Sequence, residues 1–162
     1  VENIELARRH LPVPLAVENI AALVAWPGDR FDEAELLRQV CARTGVSVLF
    51  DAANWWANAL NFGWSALDRL DELPLDRIAY AHVAGGIMRE GYYVDTHAHA
   101  MGEGPRRVTR ALLLRRPDLP VLLERDDHFD GEASLGRELL AIDAMRGTSP
   151  HPADEEPSGL RT

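Results

Sequence analysis

Four short apolar segments end in polar residues, and the spacing of those ends constrains the fold more than any other feature of the chain. "VPLAVEN" gives way to Glu18 and Asn19, "VSVLFDAAN" to Asp51 and Asn54, "IAYAHVAGG" to His82, and "LPVLLERDD" to Glu124 and Asp126. Near-continuous apolar runs of this length, bounded by turn residues or helical pattern, read as strands of a parallel sheet. Glu18, Asp51 and His82 follow one another after 33 and 31 residues, the length of one strand plus its crossover helix. The fourth polar end comes later. The excess is "GGIMREGYYVDTHAHAMGEG" at 85–104, expected as a loop inserted at the carboxyl end of the third strand, the edge where parallel α/β folds carry their sites.

Helical patterns fill the intervals. "FDEAELLRQVCART" opens with Asp32 as a cap and Glu35 three positions on, and it closes at Gly45. "WSALDRLDEL" stops before Pro74, "EGPRRVTRALLLRR" runs into Pro117, and "GEASLGRELLAIDAM" ends near Gly147. The opening "VENIELARRHL" reads as the end of a helix. A closed eight-stranded barrel takes about 250 residues. Four strand–helix units in 162 residues therefore predict an α/β fold that is half of a TIM-type (β/α) barrel, its last four units, over residues 1–147, with a disordered tail at 148–162. A small open sheet complete in itself is the alternative, and its two parallel edges would need covering.

The charge narrows the partners. With 26 acidic and 17 basic side chains the formal charge is -9, so no field draws nucleic acid to the surface, and a cation is the more natural guest. A single cysteine, Cys41, excludes an internal disulfide framework and is expected as a buried inert thiol. The apolar runs are too short for a membrane span and no basic-then-apolar leader opens the chain, so a cytoplasmic protein away from membranes is expected.

Parallel strands would bring Glu18, Asp51, His82, Glu124 and Asp126 to one rim, with Asp95 and His97 of "VDTHAH" folding over them from the insertion. Crowded carboxylates resist ionising together unless cations neutralise them. A donor set of oxygens and imidazoles without thiolate suits iron or manganese, with zinc also compatible. Taken singly, Glu18 or Asp51 is as well explained as a helix cap or ion-pair partner and His82 as a hydrogen-bonded core histidine; the four strand ends together carry the signal. Asn54, Asn58 and Asn61 sit among Trp55, Trp56, Phe62 and Trp64 in what reads as a polar–aromatic loop at the mouth, with Trp55 and Trp64 packed as a lid. Asp127 departs from the alternate spacing of Glu124 and Asp126 and is expected in solvent. His10 and His128 read as surface or hinge residues and His151 as an isolated surface histidine.

With these motifs in place, the chain resembles the C-terminal half of the DUF692 (UPF0276) family of barrel enzymes, which includes the methanobactin-biosynthesis iron oxidase. The matching stretches are "LAVEN", "LFDAANWWANALNFG", "AHVAGG", "YVDTHAHAMGEG" and "LLERDD", in order across roughly residues 10–145. The resemblance implies a TIM-type barrel holding two or three iron ions. It implies Glu18, Asp51, Asn54, His82, Asp95, His97, Glu124 and Asp126 as metal ligands, with Asn19, Asn58, His99 and Arg125 near substrate or supporting the ligands. It also implies oxidation of a cysteine in a small ribosomal peptide by dioxygen, with a partner protein presenting the peptide. The sequence departs from the family pattern at Ala53, where an asparagine is usual, at Gly86, where a histidine is usual, and at Arg125, where an aromatic residue is usual. Two histidine ligands from the third and fourth barrel strands have no counterpart, so a second chain or a missing N-terminal half is expected to complete the barrel. Two other readings stand beside this one: a divalent-metal isomerase or hydrolase of the xylose-isomerase-like barrel type, and a non-catalytic truncated subunit that binds peptide.

Overall fold

The computed structural model describes residues 1–146, so the expectation of a disordered tail at 148–162 and the reading of His151 lie outside the described residues. Helix α1 (Glu2–His10) leads to β1 (Ala16–Glu18), α2 (Glu33–Thr44), β2 (Ser47–Asp51), α3 (Ala52–Phe62) and β3 (Ile78–Val83). A hairpin of β4 (Gly85–Arg89) and β5 (Tyr92–His99) follows, then α4 (Glu103–Arg115), β6 (Val121–Leu123) and α5 (Glu132–Ala144). The four strands β1, β2, β3 and β6 pair in that order, all parallel, and β1 and β6 end the sheet. This is an α/β fold with alternating helices and an open parallel sheet, the arrangement of part of a (β/α) barrel.

Local chemistry accounts for most boundaries. Asp32 caps α2 by accepting from the Glu35 amide at 2.9 Å, and Gly45 ends it at φ 68°, a backbone conformation that a residue without Cβ adopts at little cost. The buried positions of α2, Ala34, Leu37, Cys41 and Thr44, recur at helical spacing. Cys41 is a free buried thiol, pushed up in pKa by burial. The core lies between the helices and one face of the sheet, where Val48, Phe50, Ala81 and Val83 meet Leu37, Trp55, Leu70, Val108 and Leu112. Among the described residues no helix is long and apolar enough to cross a membrane.

Two expectations fail here. The stretch 64–73 is not one helix: it forms turns and the 3₁₀ segment Leu70–Glu72, and a second 3₁₀ segment spans Leu75–Arg77. The helix of this unit lies earlier, over the residues read as a loop, because Asp51 caps it at 2.7 Å from the Asn54 amide and Gly63 closes it at φ 73°. Trp55 is accordingly no lid but a fully buried core residue whose indole donates to Ala66 O at 2.8 Å.

The insertion at 85–104 is likewise not a loop. It holds an antiparallel hairpin turning at Glu90 and Gly91, both with positive φ (52° and 87°), the conformation that matches the twist of two paired strands. Close approach of its backbones explains Gly85 and Gly86. A Cβ on the first would meet the Ala100 and His99 carbonyls, and on the second the Val94 carbonyl and the Tyr93 ring.

Candidate metal centre

Strand pairing decides which way the strand-end residues face. Asp51 lies opposite His82, His82 opposite Leu122, and Glu18 opposite Leu49. Residues two apart on a strand share a face, so Glu18, Asp51, His82 and Glu124 all belong to the face away from Phe50 and Ala81. Glu124 stays in line beyond β6 because its amide donates to Val83 O at 3.0 Å.

The hairpin brings Asp95 and His97 to the same place by breaking its own regularity. Gly85 pairs with His99 and Ile87 with Val94, so the single residue Gly86 stands against the whole stretch from Asp95 to Ala98. Within this bulge His97 takes φ 51°. Bulges re-aim side chains and recur beside active sites, and a side chain held at positive φ needs surroundings that over-determine it. Here His97 Nε2 contacts Asp95, while its Nδ1 lies 3.4 Å from Glu124 Oε2 and 3.7 Å from Asp126 Oδ2. His82 Nδ1 lies 2.9 Å from the same Glu124 oxygen.

Two groups of three can each direct one ligand atom at a common point: Glu18, Asp51 and His82, and Asp51, His97 and Glu124, with the atoms of each group within 4.8 Å of one another. Asp51 belongs to both. Its Oδ1 accepts the Asn54 amide, but its Oδ2, like Asp95 Oδ1, is buried with no hydrogen-bond partner. Buried acceptors without donors are costly. Burial pushes the Asp51 carboxyl up to about 7, against the lowering effect of the Asn54 amide and with further raising by Asp95 and Glu18. Burial also raises Asp95 and Glu18. For His97, burial opposes the imidazolium, yet Asp95, Glu124 and Asp51 outweigh it and the pKa rises. A cation would supply what the orphaned oxygens lack, and the oxygen–imidazole donor set fits iron, manganese or zinc.

The supporting residues divide by what they touch. Asn19 and Asp51 clasp across β1 and β2, Asn19 Nδ2 donating to Asp51 O at 2.9 Å and the Asp51 amide to Asn19 Oδ1 at 2.8 Å. Asn54 Nδ2 donates to Asn19 O at 3.0 Å, and Asn58 Nδ2 donates to Ile20 O and to Glu33 while its Oδ1 accepts from the Ala22 amide. Asn61 closes the series on the hairpin, donating to Tyr93 O at 2.9 Å and accepting from the Tyr93 amide at 2.8 Å. Three asparagines spaced by four and three residues form one helical face, a spacing from which α3 could have been read although the latch made by Asn61 could not.

Asp126 is exposed and lies outside both groups, its amide donating to His97 O at 2.8 Å. Asp127 is exposed, as expected. Arg125 does not turn to the centre: its buried guanidinium pairs with Glu138 of α5, which also accepts the Met101 amide at 2.8 Å. That ion pair accounts for the burial of the Arg125 guanidinium. His99 bonds to Thr96 Oγ1 at 3.0 Å rather than joining either ligand group.

A profile of the family described as "RiPP precursor modification enzyme MbnB/TglH/ChrH" matches residues 1–146. The chain belongs to this family, DUF692/UPF0276. Among UPF0276 proteins it is 47% identical over 141 residues to one from Streptomyces avermitilis, covering 87% of this chain and 29% of that protein. It is 33% identical over 133 residues to one from Chromobacterium violaceum, covering 82% of this chain and 48% of that protein, and 32% identical over 137 residues to one from Caulobacter vibrioides, covering 85% and 49%. The chain thus spans about half the length, or less, of these UPF0276 relatives. Family membership and the two ligand groups together support a metal-dependent catalytic role.

Proposed function

We propose that this chain carries the carboxylate–imidazole half of a non-haem iron centre of two or three ions that oxidises a cysteine of a ribosomally made peptide with dioxygen. The observation that carries the reading is Asp51, a buried carboxylate shared by two ligand groups and left with one unpartnered oxygen. A shared carboxylate is how a protein holds neighbouring ions, and the family match supplies the peptide-modifying class. Iron, when bound, supplies dioxygen activation and the electrons for it. The chain's own residues position the rest. Glu18 and His82 take one side of Asp51, His97 and Glu124 the other, and Asp95 and Asn54 complete the set, with Asp126 at the open rim beside His97. Asn19 and Asn58 hold the first turn after β1 in place, so backbone clasps add to the contacts that the ligands make with one another.

Completion of the barrel by four further strand–helix units, on the same or a second chain, is part of the reading. A partner that presents the peptide is another part. The test is anaerobic co-purification of the chain with that complementary half, followed by metal analysis, Mössbauer spectroscopy and oxygen uptake with a cysteine-containing peptide. Two or three irons per complex and peptide-dependent oxygen uptake are expected. Tight binding of a divalent ion with turnover of a sugar or phosphoester and no oxygen uptake would replace the reading with an isomerase or hydrolase. Peptide binding unaffected by chelator would replace it with a non-catalytic subunit.

A further inference from the structure

His99 and His128 lie outside both ligand groups, and neither has a role in the reading above. They are brought together from different elements: His99 ends β5, and His128 stands in the loop between β6 and α5, at φ 50°. Their ring centres are 5.5 Å apart with planes tilted by 50°. Each ring is held by its Nδ1. His128 Nδ1 lies 3.2 Å from Ala98 O, and a carbonyl only accepts, so this nitrogen carries the hydrogen. His99 Nδ1 lies 3.0 Å from Thr96 Oγ1, whose own hydrogen can turn to Gly85 O at 3.4 Å. An imidazole that donates from Nδ1 keeps its lone pair on Nε2. Oxygen acceptors on the far nitrogen are also what orient histidines that bind metals.

We propose that His99 and His128 form a second metal site, a two-imidazole site for a divalent transition ion at the base of the hairpin, where Gly85 pairs with His99, separate from the carboxylate centre. The spacing suits one ion: with metal–nitrogen bonds of about 2.0–2.1 Å in tetrahedral geometry, two rings sharing an ion through Nε2 would have centres roughly 5 Å apart. Two nitrogen ligands leave the remaining positions to water. Imidazole without carboxylate selects zinc, copper or nickel over magnesium and calcium. Thr96 ties the site to its neighbour, since it is flanked by Asp95 and His97 in the bulge and holds the His99 ring.

The experiment titrates the full chain with Zn²⁺ alone and follows the ring nitrogens of all its histidines by NMR. His99 and His128 are expected to respond together, with one midpoint. In His99→Gln the His128 response should move to about tenfold higher zinc or more, and His128→Gln should do the same to His99. Backbone amide spectra of both variants establish that the hairpin is intact. An unchanged His128 response in His99→Gln, or silence of both rings while His82 and His97 respond, overturns the site. The converse result, with His99 and His128 responding while His82 and His97 stay silent, leaves this site standing and removes the carboxylate centre.

Discussion

At the scale of single residues, Asp51 combines two demands that pull apart. It caps α3 and offers the two ligand groups their common carboxylate, yet burial holds its pKa near 7 instead of the usual 3.8. A carboxyl raised in the folded state keeps its proton where the unfolded chain has lost it. Stability therefore carries no penalty below about pH 4, falls as pH rises through the window up to about 7, and bears the full cost above it. Asp51→Asn keeps an acceptor for the Asn54 amide and removes the charge. In metal-free protein it should gain about 1–2 kcal/mol at pH 8 and nothing at pH 4, by denaturant unfolding, while metal binding falls at both groups together. Glu33 offers the comparison. Burial raises it from 4.5 to about 7, against a lowering hydrogen bond from Asn58 at 3.1 Å. Its sign is the same, so Glu33→Gln should stabilise at pH 8 and not at pH 4, but with metal content unchanged, because Glu33 is in neither ligand group.

Among the elements, α3 and the hairpin act as one support. Asn61 binds both backbone groups of Tyr93, and Tyr93 in turn accepts the Gly86 amide on its hydroxyl at 2.9 Å. Asn61→Ala should cost about 1–3 kcal/mol and speed amide exchange at Tyr93 and in the Asp95–His97 bulge, leaving α2 protected; uniform loss of protection would show that the latch is not local. These two elements are also where the sequence was least legible. A cap announced α2, apolar spacing announced α4 and α5, and polar strand ends announced the rim, because each is a local rule acting on nearby residues. Helix α3 was hidden by asparagines and tryptophans that suit a loop by composition, and only their periodicity told otherwise. The stretch holding Asp95, His97 and His99 read as part of an inserted loop, because the strand and its bulge are set by pairing with β4 rather than by a local rule. Arg125 shows the same limit: it lies in the loop after β6 and its partner Glu138 is thirteen residues away on α5, and nothing near either residue reveals the pairing.

For the molecule as a whole, the ligand-bearing face of the sheet carries apolar side chains that the described residues leave exposed. Tyr80 is 37% exposed and Leu122 54%, although both lie on the face of the ligands, and β1 and β6 end the sheet with one side unpaired. Leu139 and Leu140 of α5 are 51% and 71% exposed. Apolar surface beside open strand edges favours association. Light scattering on the isolated chain should show mass rising with concentration, and addition of the complementary half should replace that with a one-to-one complex of higher melting temperature. A chain that stays monomeric at high concentration and ignores the other half would contradict this account. The departures at Ala53 and Gly86 that the family resemblance implies belong to the same scale. Gly86 has no room for a Cβ against Tyr93 and Val94, so a histidine there would require a differently placed hairpin.

The register of that hairpin is pinned twice, at Gly85 with His99 and at Ile87 with Val94, on either side of the metal ligands. Everything beyond the second pin and the Tyr93 latch, from Arg89 through the Glu90–Gly91 turn to Tyr92, can change length in step without shifting Asp95 or His97. The tip is thus insulated from the chemistry. It is the part of the rim that lineages can diversify freely, and the place to graft a label or a foreign recognition sequence.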